Sequence, residues 1–184
     1  MEKIFAQDGV SFHATLPLIW RTKTELSDDE ITIWMYDNVT LLRALATIEA
    51  FQPENEGDSA TGTGKTLQRL EFKIDLTLNL IAKLLTQTLT LPPARPVFLS
   101  AGGMEWICGE HTPMQGEDIL ISTFISPKLP QPLVLPAKVA AVRKEERGTR
   151  IYATFTHLNE ETRDWLSRTV FRNHRRAIHI HHHE

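Results

Sequence analysis

The sequence predicts an α+β fold, in which a small six-stranded antiparallel β-barrel carries a C-terminal helix and an inserted long helical hairpin. Three stretches of the chain predict this fold. Residues 66–89 repeat apolar side chains at helical spacing, and residues 97–156 contain short apolar runs separated by turns that hold Gly or Pro. Residues 159–176 have one apolar face, as an amphipathic helix does.

The 184 residues are enough for one sizeable domain with an insertion, and the hydrophobic content of 41% is that of a globular protein. We assign residues 1–26 and 92–184 to the barrel and its C-terminal helix, and residues 27–91 to a helical hairpin for oligomerisation. The 20 basic and 23 acidic residues give a net charge of -3, which offers no reason to expect nucleic acid. No apolar run of about 18 residues appears, so we expect no membrane span and a cytoplasmic protein.

The N-terminal part of the chain is predicted to form a strand and then a helix. Residues 10–21 alternate apolar and polar side chains around Phe12, which indicates one or two extended segments. Ser27 and Glu30 have the spacing of a capping box, in which each side chain accepts a hydrogen bond from the other residue's N–H. The helix that begins here runs to about Phe51. Its apolar face contains Ile31, Trp34, Met35, Leu41, Leu42, Leu45 and Ile48.

Residues 66–89 are predicted to form one long helix with two apolar stripes. The heptad stripe contains Leu67, Leu70, Ile74, Leu78, Ile81, Leu84 and Leu85. The second stripe, on the opposite side, contains Phe72, Leu76 and Leu80. A helix covered by its own domain usually has one stripe, so we predict a homo-oligomer assembled through the heptad stripe; burial in a single large core explains the pattern equally well. The extra leucines at e positions widen the seam, so we prefer a tetramer over a dimer.

Residues 52–64 connect the two predicted helices and are polar and Gly-rich. The end of this connection, Gly62-Thr63-Gly64-Lys65-Thr66, resembles a phosphate-binding loop, since Gly-Lys-Thr at a helix start surrounds phosphates with amides and a lysine. However, Ser59 stands where the first glycine of that motif belongs, and no apolar strand precedes it. We interpret the stretch as a glycine linker before a helix start.

Beyond residue 91 the chain is predicted to form strands, because three prolines in the run Leu91 to Pro96 stop the helix. The predicted strands are Val97–Leu99, Met104–Ile107, Ile119–Ile125, Leu133–Val142 and Arg150–Thr156. Short strands with regular turns favour a closed or nearly closed barrel, because closure removes exposed edges.

The predicted C-terminal helix ends in a basic turn, with Arg168, Arg172, Arg175 and Arg176. These cations suit the helix dipole, and a solvated basic end is the simpler interpretation. A patch for an anionic partner is the alternative.

No set of residues has the spacing of a catalytic or metal site. Cys108 is the single cysteine, which excludes an intramolecular disulfide. With His13, His111 and His157 it matches no nucleophile or metal-ligand pattern. We therefore predict no enzymatic activity and assign no metal to the histidines at the C-terminus.

The order of these elements resembles the PilZ domain family. The residues that carry the resemblance are Pro96 to Trp106 (PVFLSAGGMEW), Leu133 to Val139 (LVLPAKV) and Tyr152 to Phe155 (YATF), with residues 10–21 as the first strand and residues 158–176 as the C-terminal helix. The resemblance implies that the helical hairpin is inserted between the first and second barrel strands. It also implies a place in bacterial cyclic di-GMP signalling, which controls motility, pili or virulence.

PilZ domains typically bind cyclic di-GMP through an R-x-x-x-R segment before the barrel and a D/N-x-S-x-x-G turn. Ser100 and Gly103 match the turn and are the ligand-binding candidates that the resemblance implies, although turn geometry alone also explains them. Phe98 stands where Asp or Asn belongs, and its ring cannot hydrogen-bond a guanine edge. The arginine pair has no counterpart, since no arginine precedes Arg21 and Arg95 has no partner four residues away.

We therefore predict a non-enzymatic PilZ-type signalling adaptor that does not bind cyclic di-GMP and needs no cofactor. It is expected to work through homo-oligomerisation and an unidentified protein partner. The alternative is a cyclic di-GMP receptor that binds through altered residues, including the basic C-terminal helix.

Overall fold

The structure is a computed structural model that describes most of the barrel and its flanking helices and part of the segment between them. The described residues are 10–23, 25–50, 70, 72–74, 76, 77, 80, 81, 84, 90–109, 111–127, 129, 131–146 and 148–181.

Six antiparallel strands form a closed barrel, in the order β1-β2-β3-β6-β5-β4 around its circumference. They are β1 (Ser11–Thr22), β2 (Ala94–Ser100), β3 (Gly103–Cys108), β4 (Asp118–Thr123), β5 (Leu133–Glu145) and β6 (Gly148–Phe155). The prediction of an α+β fold with a six-stranded antiparallel barrel is confirmed.

Strand β1 closes the barrel because it changes partner at Pro17. Up to Pro17 it pairs with β2, and from Leu18 onward it pairs with β4. The carbonyl of Pro17 accepts hydrogen bonds from the N–H of Phe124 at 3.1 Å and from the hydroxyl of Thr123 at 3.2 Å. The sequence predicted one or two extended segments here, and the structure has one strand of 12 residues with two neighbours.

The hairpin between β5 and β6 is longer than predicted. Strand β5 continues to Glu145, which pairs with Gly148. Gly148 has a φ of 136°, and a Cβ atom built there would lie 2.6 Å from the carbonyl oxygen of Cys108. The turn therefore requires glycine at this position.

The barrel interior is apolar, and both flanking helices contribute to it. Trp106 is its largest fully buried side chain, and its indole N–H donates to the Sγ atom of Cys108 at 3.0 Å. The buried cluster also contains Leu16, Leu18, Val97, Leu99, Met104, Ile121, Leu133, Leu135, Val139, Ile151, Phe155, Leu41, Leu42, Leu45, Leu166 and Val170. The last five belong to the helices, which complete the core of the barrel.

Helix α1 (Asp28–Ala50) begins at the predicted capping box. The Glu30 N–H donates to the Ser27 hydroxyl at 3.2 Å, and the Ser27 N–H donates to the Glu30 carboxylate at 3.3 Å. These bonds satisfy N–H groups that a helix start leaves unpaired. Helix α1 lies against β5 and the C-terminal helix. The division of the chain into a barrel and an inserted hairpin, at residues 26 and 92, stays a prediction.

A buried asparagine fixes α1 to the barrel. Asn38 is 1% exposed; its Nδ2 donates to the carbonyl of Val134 at 2.7 Å, and its Oδ1 accepts from the Val134 N–H at 2.9 Å. Val134 pairs with Ser122 of β4 on one side, while the ladder between β5 and β6 begins only at Ala137. The amide of Asn38 therefore replaces a strand partner.

Helix α2 (Glu160–His181) packs on α1, β1 and β2. Its start is capped by Asn159, whose Oδ1 accepts from the Thr162 N–H at 2.8 Å. Near its end, Nδ1 of His174 lies 2.8 Å from the carbonyl oxygen of Ser11. Among the described residues, no helix is long and apolar enough to cross a membrane.

Candidate functional site

The turn between β2 and β3 holds both residues that match the family's ligand-binding turn. The Ser100 hydroxyl accepts from the N–H groups of Gly102 and Gly103 at 3.3 and 3.1 Å, and it donates to the Gly103 carbonyl at 3.1 Å. A serine hydroxyl has one donor and two acceptor sites, so these three hydrogen bonds within the turn occupy every site of the Ser100 hydroxyl. Hydrogen bonding within the turn accounts for the identity of Ser100.

Phe98 lies on the outer face of the barrel next to this turn. It is paired with His13 of β1, and their rings stack with centroids 4.6 Å apart and an interplanar angle of 25°. Phe98 is 41% exposed even so. The position where the family has Asp or Asn is therefore filled by a phenyl ring, which cannot accept a hydrogen bond from a guanine edge.

The next three strands around the barrel place an ion-pair network beside Phe98. Glu105 of β3 lies opposite Phe98 and is bound by Nη1 of Arg150. The same guanidinium binds Glu145, with Nε to Oε1 at 2.5 Å and Nη2 to Oε2 at 2.8 Å. The hydrogen bond from Arg150 lowers the pKa of the Glu145 carboxyl, and the hydrogen bond with Glu145 raises the pKa of Arg150 despite partial burial.

Tyr152 completes this face of the barrel. It lies opposite Glu105, and the guanidinium of Arg143 sits 5.6 Å from the centre of its ring. Burial raises the pKa of Tyr152, with a further contribution from the charge of Glu105. The face as a whole carries balanced charges, and Arg150 is committed to two carboxylates rather than free for a phosphate.

The histidines and the cysteine considered for catalysis lie in different elements of the fold. His13 is in the stack with Phe98, His111 is in the connection between β3 and β4, and His157 precedes α2 with a φ of 57°. Cys108 is buried at the end of β3. Within the described part of the chain, no group of three or more His, Cys, Asp or Glu side chains could hold a metal ion.

Two aromatic contacts on the helices join Trp165 to one arginine of α1 and one arginine of α2. Trp165 of α2 is flanked by the guanidinium groups of Arg43 and Arg168, at 5.5 and 5.3 Å from its ring centre. Each arginine also binds a carboxylate of α2, Glu161 for Arg43 and Asp164 for Arg168. Two of the basic groups near this helix are thus neutralised locally.

The residues predicted for oligomerisation are described in part. Leu67, Leu78 and Leu85 lie outside the described residues, as does the Gly62 to Thr66 stretch. Leu70, Ile74, Ile81 and Leu84 are helical, with exposures of 55%, 51%, 47% and 64% in the single chain.

The opposite stripe of that segment is exposed as well. Phe72, Leu76 and Leu80 are 68%, 47% and 52% exposed in the single chain. Burial of both stripes in one core, which the pattern alone allowed, does not occur at these positions. The described residues of the segment, numbered between 70 and 84, are called the exposed helical segment below.

Asn38 is the structural residue that sequence reasoning missed. It stands among the apolar positions of α1, and its spacing with Met35, Leu42 and Leu45 at three, four and seven residues places it on the buried face. A polar residue at such a position signals a specific hydrogen-bond partner.

A closed six-stranded barrel with a helix packed across β1 and β2, and a serine-bonded turn between β2 and β3, defines a PilZ-type domain. A model of the atypical PilZ domain, described as a cyclic di-GMP receptor, matches residues 42–182. The chain belongs to the atypical PilZ domain family.

A solved structure shows the same fold. It is a pathogenic protein from Xanthomonas campestris, described as a new tetrameric PilZ domain self-assembled via an unusual helical bundle. The two share 27% sequence identity over 94% of this chain and 92% of that chain, with a TM-score of 0.76. No match was found among curated proteins.

Proposed function

We propose that this protein is a cytoplasmic, non-enzymatic PilZ-type adaptor in bacterial cyclic di-GMP-linked regulation of motility, pili or virulence. It does not bind cyclic di-GMP itself, and it works as a homo-oligomer, with a tetramer preferred over a dimer. The observation that carries the proposal is the exposed helical segment, where seven apolar side chains on two stripes are 47% to 68% exposed in the single chain. Exposed apolar surface of that extent on a helix is typical of a protein–protein contact.

The similarity to a tetrameric PilZ domain supports assembly through this segment, since that protein is described as self-assembled via a helical bundle. Light scattering behind size exclusion tests it directly. A tetramer has a molar mass of about 84 kDa, four times the 21.0 kDa of one chain. A mass near 21.0 kDa at tens of micromolar would show that the segment does not assemble the protein.

The arrangement around the β2–β3 turn supports the absence of ligand binding. The stacked rings of Phe98 and His13 occupy the place of the family's carboxylate or amide. The Ser100 hydroxyl makes all of its hydrogen bonds within the turn. Arg150 is held by Glu105 and Glu145. Recognition of phosphate and guanine by arginine depends on paired donors that are free to face the ligand.

A cyclic di-GMP receptor that binds through altered residues is the second candidate function. The description of the family as a cyclic di-GMP receptor favours it. The basic end of α2 is the site such a receptor would use, since Arg175 and Arg176 are exposed there. A single measurement separates the two candidates.

We expect isothermal titration of the protein with cyclic di-GMP to give no binding heat at micromolar concentrations. Phe98→Asp supplies the missing acceptor but no arginine pair, so it should not restore binding alone. Phe98→Asp combined with an added R-x-x-x-R segment before β1 should restore it. Low-micromolar affinity of the unaltered protein would contradict the adaptor proposal and favour the receptor, and its loss in Arg175→Gln with Arg176→Gln would place the site on α2.

A further inference from the structure

A cleft of about 540 Å³ opens on the barrel away from the β2–β3 turn. Its walls come from β1, the start of β2, and the loop that follows β3. The side chains that matter for its chemistry are Ile19, Trp20, Pro93, Arg95 and His111. Arg95 is five residues before Ser100 on the same strand, which puts the cleft about 17 Å along β2 from the turn.

The cleft exists because three strands separate there. Strand β1 leaves β2 after Pro17 to pair with β4. The ladder between β2 and β3 runs only from Val97 to Leu99, and the preceding Pro96 has no N–H to extend it. The Arg95 side chain donates to the Ile107 carbonyl at 3.3 Å, across the unpaired part of the seam.

Arg95 has no described ion pair, in contrast to three other arginines of the chain. Arg43, Arg150 and Arg168 each bind a carboxylate, whereas none of the described residues provides a carboxylate within ion-pair distance of Arg95. One of its five N–H groups is directed at Ile107, which leaves a donor pair for an anion. Among the described lining residues, His111 is the second titratable side chain, and its protonated ring donates from both nitrogens.

The rest of the lining is apolar and lies partly in solvent. Trp20 is partly buried against the core and, with Pro93, forms an apolar wall, while Ile19 lies on the outer face of β1 and is 56% exposed. An open cleft of this kind accepts an inserted side chain of another protein, whereas small-molecule sites enclose most of their ligand. Tryptophan and arginine are the residue types that most often anchor such contacts.

We propose that this cleft binds a segment of a protein partner in which an acidic residue adjoins an apolar one. The carboxylate pairs with Arg95, and the apolar side chain lies against Trp20 and Pro93. The charge of the lining selects an acidic segment, because the residues that the structure describes in the cleft provide a cation and no carboxylate. The inference rests on the proposed adaptor role, for which it names the chemistry of the partner.

The test uses the full-length chain labelled with 5-fluorotryptophan, which gives one fluorine signal for each of its four tryptophans. Trp20→Phe identifies the Trp20 signal. The probes are the peptides acetyl-Leu-Glu-amide and its neutral isostere acetyl-Leu-Gln-amide. We expect the Glu peptide to shift the Trp20 signal saturably, with affinity in the millimolar range and about fivefold tighter than the Gln peptide, as a partly exposed charge pair allows.

Variants then locate the charge contact. Arg95→Gln should abolish the difference between the two peptides, Arg95→Lys should retain part of it, and Arg163→Gln on the exposed side of α2 should leave it unchanged. If Arg95→Gln disturbs the fold, Arg95→Lys and the peptide comparison on the unaltered protein decide the question. Equal binding of the two peptides, an unmoved Trp20 signal, or an equal shift with sodium acetate would overturn the proposal. Those outcomes leave the cyclic di-GMP titration and the molar mass unaffected, so the two proposals fail separately.

Discussion

Replacing Asn38 by alanine is expected to destabilise the protein by about 2 to 5 kcal/mol, because two partly buried backbone groups lose their partner at once. Asn38 is 1% exposed, and it both donates to and accepts from Val134. Each such group left unsatisfied costs about 1 to 3 kcal/mol. In a chain of this length the melting temperature should fall by roughly 5 to 15 °C.

The matched control for Asn38→Ala is Thr40→Ala, an exposed position two residues further along α1. It should change the free energy of unfolding by no more than about 0.5 kcal/mol. Asn38→Asp keeps an acceptor for the Val134 N–H but turns a carboxylate toward the Val134 carbonyl, so it should be destabilising at neutral pH. Thermal unfolding at one fixed protein concentration measures all three variants, since assembly makes the melting temperature depend on concentration. Equal melting temperatures for Asn38→Ala and Thr40→Ala would mean that the asparagine does not hold α1 on the barrel.

The barrel could be predicted from the sequence because the signals that indicate its strands and turns are local. Alternation in each strand, the prolines after residue 91 and the Gly-containing turns each act over a few residues, and the capping box of Ser27 and Glu30 does the same. Closure followed from the need to remove strand edges. The change of partner at Pro17 did not follow, because which strand lies beside Leu18 depends on the whole barrel.

For the candidate site, the sequence predicted which residues occupy the motif but not the contacts that their side chains make. Ser100, Gly103 and the unexpected Phe98 could be found by position, but the stack of Phe98 on His13 depends on the register between β1 and β2. Arg150 and Glu105 are 45 residues apart, and their ion pair depends on the register between β3 and β6. Asn38 was missed because a pattern of apolar spacing cannot show which backbone groups of β5 lack a strand partner.

Association through the exposed helical segment has a favourable but limited free-energy margin. Burying the seven side chains of the heptad stripe gives roughly 10 to 20 kcal/mol gross, at about 1.5 to 3 kcal/mol each. Association costs about 4 to 15 kcal/mol in lost freedom. Because Phe72, Leu76 and Leu80 are also exposed in the single chain, their burial against other helices would widen this margin.

Ile74→Glu combined with Ile81→Glu is therefore expected to abolish assembly, since each chain would bring two unpaired carboxylates into the seam at a cost of several kcal/mol each. Both isoleucines are about half exposed in the single chain, at 51% and 47%, so the barrel itself should fold unchanged. Lys73→Glu is the matched control, because it alters the net charge by the same two units at an exposed position beside the heptad stripe. Light scattering should give about 84 kDa for the unaltered protein and for Lys73→Glu, four times the chain mass, and 21.0 kDa or insoluble protein for the double variant. An unchanged mass in the double variant would show that the heptad stripe does not assemble the chains. Assembly would then be assigned to Phe72, Leu76 and Leu80, and Leu76→Glu would be the substitution expected to separate the chains.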